Sequence, residues 1–200
     1  MSANSPLGAA LEYVQRVPVF PCRPDGPRRK HPHTPHGFYD ATGDREIITK
    51  WWTTWPRALI GMPTGLKSGY VVLDIDVKDP EANGFDSLED LGLSILPDTP
   101  MAHTASSGLH VYFDPGGREL KNSIGLIGPG LDVRGDGGYV IVPSPGSGYV
   151  WDPQWSFDTV KPVAAPQWLW PPQPSLPPHS GPIKPVTGLS PYGEAAINGA

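Results

Sequence analysis

The eight residues 70–77, YVVLDIDV, constrain this chain more than any other stretch. Apolar, mostly β-branched side chains fill every position except Asp74 and Asp76. A run of that length and composition reads as a β-strand buried on both faces, hence central in its sheet. Side chains alternate across a strand, so Asp74 and Asp76, two apart, project from one face. Two carboxylates there repel each other and lose hydration unless a cation compensates. Oxygen ligands at this spacing suit Mg²⁺ or Mn²⁺, which phosphoryl-transfer sites hold through one or two carboxylates and the substrate's phosphates. A bare D-x-D pair reads more simply as the water-facing end of an edge strand; the apolar run around it points toward a metal. The same repulsion predicts that Asp74→Asn leaves the metal-free fold unchanged or stabilised.

Around this strand the pattern predicts helices first and strands later. Residues 7–16 have helical apolar spacing and end at Val17-Pro18, and residues 19–22 suit a brief strand. Asp44 is placed to cap a helix over residues 45–55, with Pro56 as its stop. Residues 59–62 suit a strand, and Asn83 or Asp86 can start a helix around residues 87–91. Strands are predicted at 109–113, 131–134 and 139–142, separated by the glycine-rich turns GPG and GDGG, with residues 151–170 packing as an edge. There is no strict βαβ rhythm, so α+β is favoured over a doubly wound sheet.

Three further places carry candidate chemistry. Asp132 is a lone acid between Leu131 and Val133. Arg134 is expected to project from the opposite side of the strand, without a direct ion pair to Asp132, and can reach phosphate bidentately. His110 follows a small-residue turn, Ser106-Ser107-Gly108, whose backbone N–H groups suit a phosphate. His31, His33 and His36 lack a nearby cysteine or carboxylate to complete a zinc set. Arg28, Arg29 and Lys30 read most simply as a solvated loop that a triphosphate or template strand can also use. Trp51, Trp52 and Trp55 lie at helical spacing, with Trp52 and Trp55 assigned to the core. No P-loop and no G-x-G-x-x-G after a strand is present.

The order and wording of these blocks resemble the N-terminal primase–polymerase domain of plasmid and phage replication proteins, in the archaeo-eukaryotic primase superfamily. The resemblance runs from about residue 7 to 170, through Lys30-His31-Pro32 with HGFYDAT (36–42), IGMPTG (60–65), VVLDIDV (71–77), TASSGLHVYF (104–113) and GLDVRGDGGYVIVPS (130–144). It implies that Asp74, Asp76 and Asp132 are ligands to two Mg²⁺ or Mn²⁺ ions, and that His110 contacts the incoming nucleotide's phosphates. By the same resemblance Ser106, Ser107, Gly108 and Arg134 are nucleotide contacts, and Lys30 matches in position. Ser107 stands where a second glycine is common, and PSPGS replaces the usual paired prolines and serine. The implied fold is a primase-like catalytic core, an RRM-like sheet beside an N-terminal α/β unit. The implied activity is that of a DNA primase and DNA polymerase, extending a strand on a single-stranded DNA template from NTP or dNTP. A helicase or another replication domain is the expected C-terminal neighbour.

Composition narrows the alternatives. Glycine (24) and proline (27) make up about a quarter of the 200 residues, and eleven prolines fall in the last 48. Residues 1–170 are therefore assigned to the primase–polymerase domain, 171–191 to a proline-rich linker and 192–200 to the start of a further helical segment. A net charge of −5 argues against a broadly cationic coat but not against a local basic groove. The single cysteine, Cys22, excludes an internal disulfide framework and fits a reducing, cytoplasmic compartment. No apolar run is long enough for a membrane span. Two other functions stay open: a non-catalytic nucleotide or nucleic-acid binding module, which needs no full acidic set, and a metal-dependent nuclease, for which no general base stands near the acids.

Overall fold

Alternation along the central strand divides the protein into two packed layers. A computed structural model describes residues 5–77 and 82–170. Its helices are α1 (Pro6–Tyr13), α2 (Arg45–Thr54) and α3 (Gly84–Asp90). Its strands are β1 (Phe20–Cys22), β2 (Leu59–Pro63), β3 (Val71–Ile75), β4 (Met101–His103), β5 (Leu109–Phe113), β6 (Ser123–Gly128), β7 (Leu131–Arg134), β8 (Tyr139–Ile141) and β9 (Val150–Trp151). They form a three-stranded sheet in the order β1-β2-β8 and a six-stranded sheet in the order β6-β7-β3-β5-β4-β9. Every pairing between these strands is antiparallel, so the α+β class holds.

β3 is central, with β5 and β7 on its two sides. Val71, Leu73 and Ile75 enter one core, shared with Leu88 of α3 and with Leu169 and Trp170. Val72 enters the other, shared with α1, α2 and the three-stranded sheet. Both faces of β3 are thus covered by protein, which is why its sequence reads as continuously apolar although the sheet is antiparallel. Asp74 shares the face of Val72, and so looks toward the smaller sheet.

Local signals place most of these elements. Asp44 caps α2 through Oδ1, which accepts from the Glu46 and Ile47 N–H groups. Asn83 caps α3 by accepting from the Phe85 N–H. α1 stops at Tyr13, three residues before the predicted end, because the chain tightens into a turn with the Gln15 N–H on the Glu12 carbonyl. Two strands escape the sequence pattern. β4 is three residues long, and β6 is broken by Gly125 with its side chains largely exposed, so neither shows a buried alternation. No helix among the described residues is long and apolar enough to cross a membrane.

Candidate functional site

Strand register assembles the candidate residues. Asp74 on β3 lies directly opposite His110 on β5 and Asp132 on β7. Directly opposed residues share a face and stand about 5 Å apart, so Asp132, Asp74 and His110 form one row across the sheet. Asp76 follows just past the end of β3, where its N–H donates to the Gly130 carbonyl. Carboxylate oxygens of Asp74, Asp76 and Asp132 all lie within 4.8 Å of one another. Three hard oxygen donors at that separation fit a divalent cation such as Mg²⁺ or Mn²⁺.

Arg134 corrects the expectation drawn for it. It sits two residues from Asp132 on β7, so the two side chains share a face and do not diverge. Its Nη2 donates to Asp132 Oδ2 at 2.8 Å and to Asp74 Oδ2 at 3.1 Å, with Nε 3.3 Å from the same Asp74 oxygen. The second Asp74 oxygen lies 3.3 Å from His110 Nε2. Burial alone would raise the Asp74 carboxyl; the His110 hydrogen bond and the positive charges of His110 and Arg134 outweigh it and hold the group at about 2. Repulsion between Asp74 and Asp76 therefore does not govern this position, and Asp74→Asn loses these charge-assisted contacts instead of relieving strain.

A cavity of about 300 Å³ opens beside the row, between the two sheets. Lys30, Asp74, His110, Asn122, Arg134 and Tyr149 line it with residues 137–141. His110 is 4 % exposed, and its Nδ1 is buried without a hydrogen-bond partner. The Lys30 ammonium stands 5.3 Å from the centre of the Tyr149 ring, whose centre is 5.4 Å from that of His110. Lys30 takes a positive φ of 72°, and the Tyr139 hydroxyl donates to its carbonyl. The basic loop is only partly solvated: Arg29 donates to the Pro24 and Ser147 carbonyls.

Ser106, Ser107 and Gly108 lie outside that cavity, in the β4–β5 turn beside the end of β3. Ser107 adopts a left-handed φ of 64° where glycine is common. Gly108 is required by contact, because a Cβ there would run into the Ile75 carbonyl. The Thr104 hydroxyl closes the turn by accepting from the Gly108 N–H at 2.9 Å. Sequence reasoning missed Asn122, Tyr139 and Tyr149. They reach the cavity from loops and a strand start, where no period marks them; Asn122 is fixed by accepting the Gly135 N–H. In the histidine-rich loop His33 stacks on Trp55 at 4.6 Å, and His36 pairs with Asp40 at 3.0 Å, so a carboxylate does stand beside one of these histidines, contrary to the sequence expectation. Trp52 is core, its indole N–H donating to the Ala58 carbonyl, while Trp55 is half-buried.

The family model described as bifunctional DNA primase/polymerase, N-terminal, matches residues 10–168. No curated protein matches the chain.

Proposed function

This chain belongs to the bifunctional DNA primase/polymerase N-terminal family, and from that premise we propose that it carries out template-directed nucleotidyl transfer on a single-stranded DNA template. The observation that carries the proposal is the clustering of three carboxylates within 4.8 Å beside a cavity walled by Lys30, His110 and Arg134. Acids alone are common on surfaces. Acids gathered by two adjacent strands next to a cationic cavity suit a reaction that brings a triphosphate to a metal.

In this reading Asp74, Asp76 and Asp132 hold two Mg²⁺ or Mn²⁺ ions. Bound there, the ions would activate the attacking hydroxyl and neutralise charge gathering on the departing pyrophosphate. Arg134 holds Asp74 and Asp132 together through Nη2 and helps to keep the Asp74 carboxyl low, and its Nη1 lies beyond those contacts to meet phosphate. Lys30 adds a second positive charge from the opposite wall. His110 orients Asp74 through Nε2 and contacts the triphosphate as the cavity fills. Ser106 and Ser107 bring hydroxyls to the Asp76 end of the row, while the N–H groups of Ser107 and Gly108, which the sequence offered for phosphate, are spent on Thr104 in closing the turn. The six-stranded sheet supports the primase-like, RRM-like core of this proposal, with α1, α2, β1 and β2 of residues 5–63, joined by β8, as its N-terminal α/β unit. The linker expected at 171–191 and the helical segment expected at 192–200 lie outside the described residues; a helicase or other replication domain is proposed as the neighbour in the same polypeptide.

The test is strand extension. Wild-type protein receives a single-stranded template, with or without annealed primer, NTPs or dNTPs, and Mg²⁺ or Mn²⁺. Incorporation is expected with primer, and Asp76→Ala and Asp132→Ala are expected to lower it by about 100-fold or more. His110→Ala falls sharply, while DNA binding survives in all three because basic groups outside the acid row carry it. Wild-type protein that folds and binds DNA but incorporates nothing returns the function to a binding module. Cleavage of labelled DNA with Mn²⁺ and no nucleotide returns it to a nuclease.

A further inference from the structure

The acid row is flanked unevenly. Toward His110 stands the cationic cavity; toward Asp132 stands β6, an outer strand of the larger sheet. The chain leaves the cavity at Asn122, and β6 then runs beside Asp132, whose Oδ1 accepts from the Gly125 N–H at 3.0 Å. On either side of Gly125 the side chains are apolar and bare: Ile124 is 81 % exposed and Leu126 58 %. Register is irregular between Ser123 and Gly128, and Gly125 takes a φ of 60°, so the strand bulges at this point. Bulges beside functional sites re-aim side chains. Single exposed aliphatics need no explanation. A pair bracketing a backbone N–H that is bonded to a candidate metal ligand does.

We infer that the Ile124-Gly125-Leu126 segment is the seat of the 3′-terminal nucleotide of the primer strand. The inference rests on the nucleotidyl-transfer reading and adds a subsite to it. In an in-line displacement the attacking hydroxyl and the departing pyrophosphate take opposite sides of the reacting phosphorus. The triphosphate carries the greater density of negative charge and belongs with Lys30 and Arg134. The hydroxyl-bearing strand end then arrives from the other flank, which is β6. Residues 123–132 contain no lysine or arginine, so this flank does not compete for the triphosphate. Two aliphatic side chains suit the sugar face and base edge of a terminal nucleotide, and a glycine between them lets the strand end approach the Asp132 carboxylate closely.

The test uses the full chain and the double variant Ile124→Ser/Leu126→Ser, whose exposed positions leave the fold intact. In steady-state extension the KM for primer–template is expected to rise about tenfold, with kcat and the nucleotide KM held. Leu126→Met, which keeps the apolar contact, is expected to match wild type. Independently of turnover, a primer ending in 4-thiothymidine should photocrosslink within residues 123–128, with the yield reduced in the double variant. An unchanged primer KM, or crosslinks confined to other segments, overturns the seat while leaving the activity standing. Wild-type protein that extends no primer overturns the activity, and the seat with it. Sedimentation gives the remaining outcome: self-association of wild type that the double variant loses makes β6 an interface between copies and overturns the assignment.

Discussion

Asp74 is the residue on which the site's electrostatics turn. It accepts from Arg134 and His110 at once, and its carboxyl is held at about 2 against a reference value of 3.8. A depressed folded-state value means that the stabilisation is complete above about pH 4 and is lost as the pH falls through about 2. With chelator present, Asp74→Asn is expected to unfold about 2 kcal/mol more easily at pH 7 than wild type. That difference should narrow as urea titrations are taken down toward pH 2; a mutant as stable as wild type at pH 7 would show that the ion pairs contribute nothing net. Gly108 tests geometry where Asp74 tests charge. Because an added Cβ would meet the fixed Ile75 backbone, Gly108→Ala is expected to cost about 2–3 kcal/mol in urea unfolding. A loss of a few tenths would mean that the turn shifts freely. The D-x-D pair and His110 were legible as residues, since their neighbours are apolar; the Arg134 bridge was not, although residues two apart in a strand must share a face.

Among the elements, α2 shows how local chemistry and packing divide the work. Asp44 satisfies two N–H groups at its start, while Ile48 and Trp52 bury its inner face. Asp44→Ala is expected to remove about 1 kcal/mol, seen as a lowered thermal midpoint, with Asp44→Ser restoring most of it. Equal midpoints for the alanine variant and wild type would show that packing alone holds the helix start. Caps, proline stops and the β3 run were readable because each depends on a few adjacent residues. β4 and β6 were not, because a three-residue strand and a glycine-broken strand owe their pairing to partners distant in the chain.

For the whole molecule, the site exists because two layers meet. The larger sheet supplies the acid row and His110, the smaller sheet supplies Tyr139 at the start of β8, and loops next to it supply Lys30 and Tyr149. The last described residues close the opposite core: Leu169 and Trp170 are buried in it, and the Arg118 guanidinium lies 4.4 Å from the centre of the Trp170 ring. Ending the chain after Trp170 is therefore expected to leave the thermal midpoint almost unchanged. Ending it after Ala165 is expected to cost about 3–5 kcal/mol, because two large buried side chains leave the core. A drop of many degrees for the chain ended after Trp170 would place part of the fold's stability beyond that residue.

Through a family resemblance the sequence offered Asp132 and His110 as candidate site residues; by itself it determined the α+β class, the central strand with its D-x-D pair and the cap of α2. Each is written in neighbouring residues, through period, burial and turn chemistry acting over a few positions. Only the tertiary structure decided that Arg134 bridges Asp74 and Asp132, that Lys30 reaches a cavity from a loop 44 residues ahead of Asp74 in the chain, and that Asn122, Tyr139 and Tyr149 join it. Those facts depend on strand register and on the packing of one sheet over another, which bring together residues whose local sequences carry no trace of the contact.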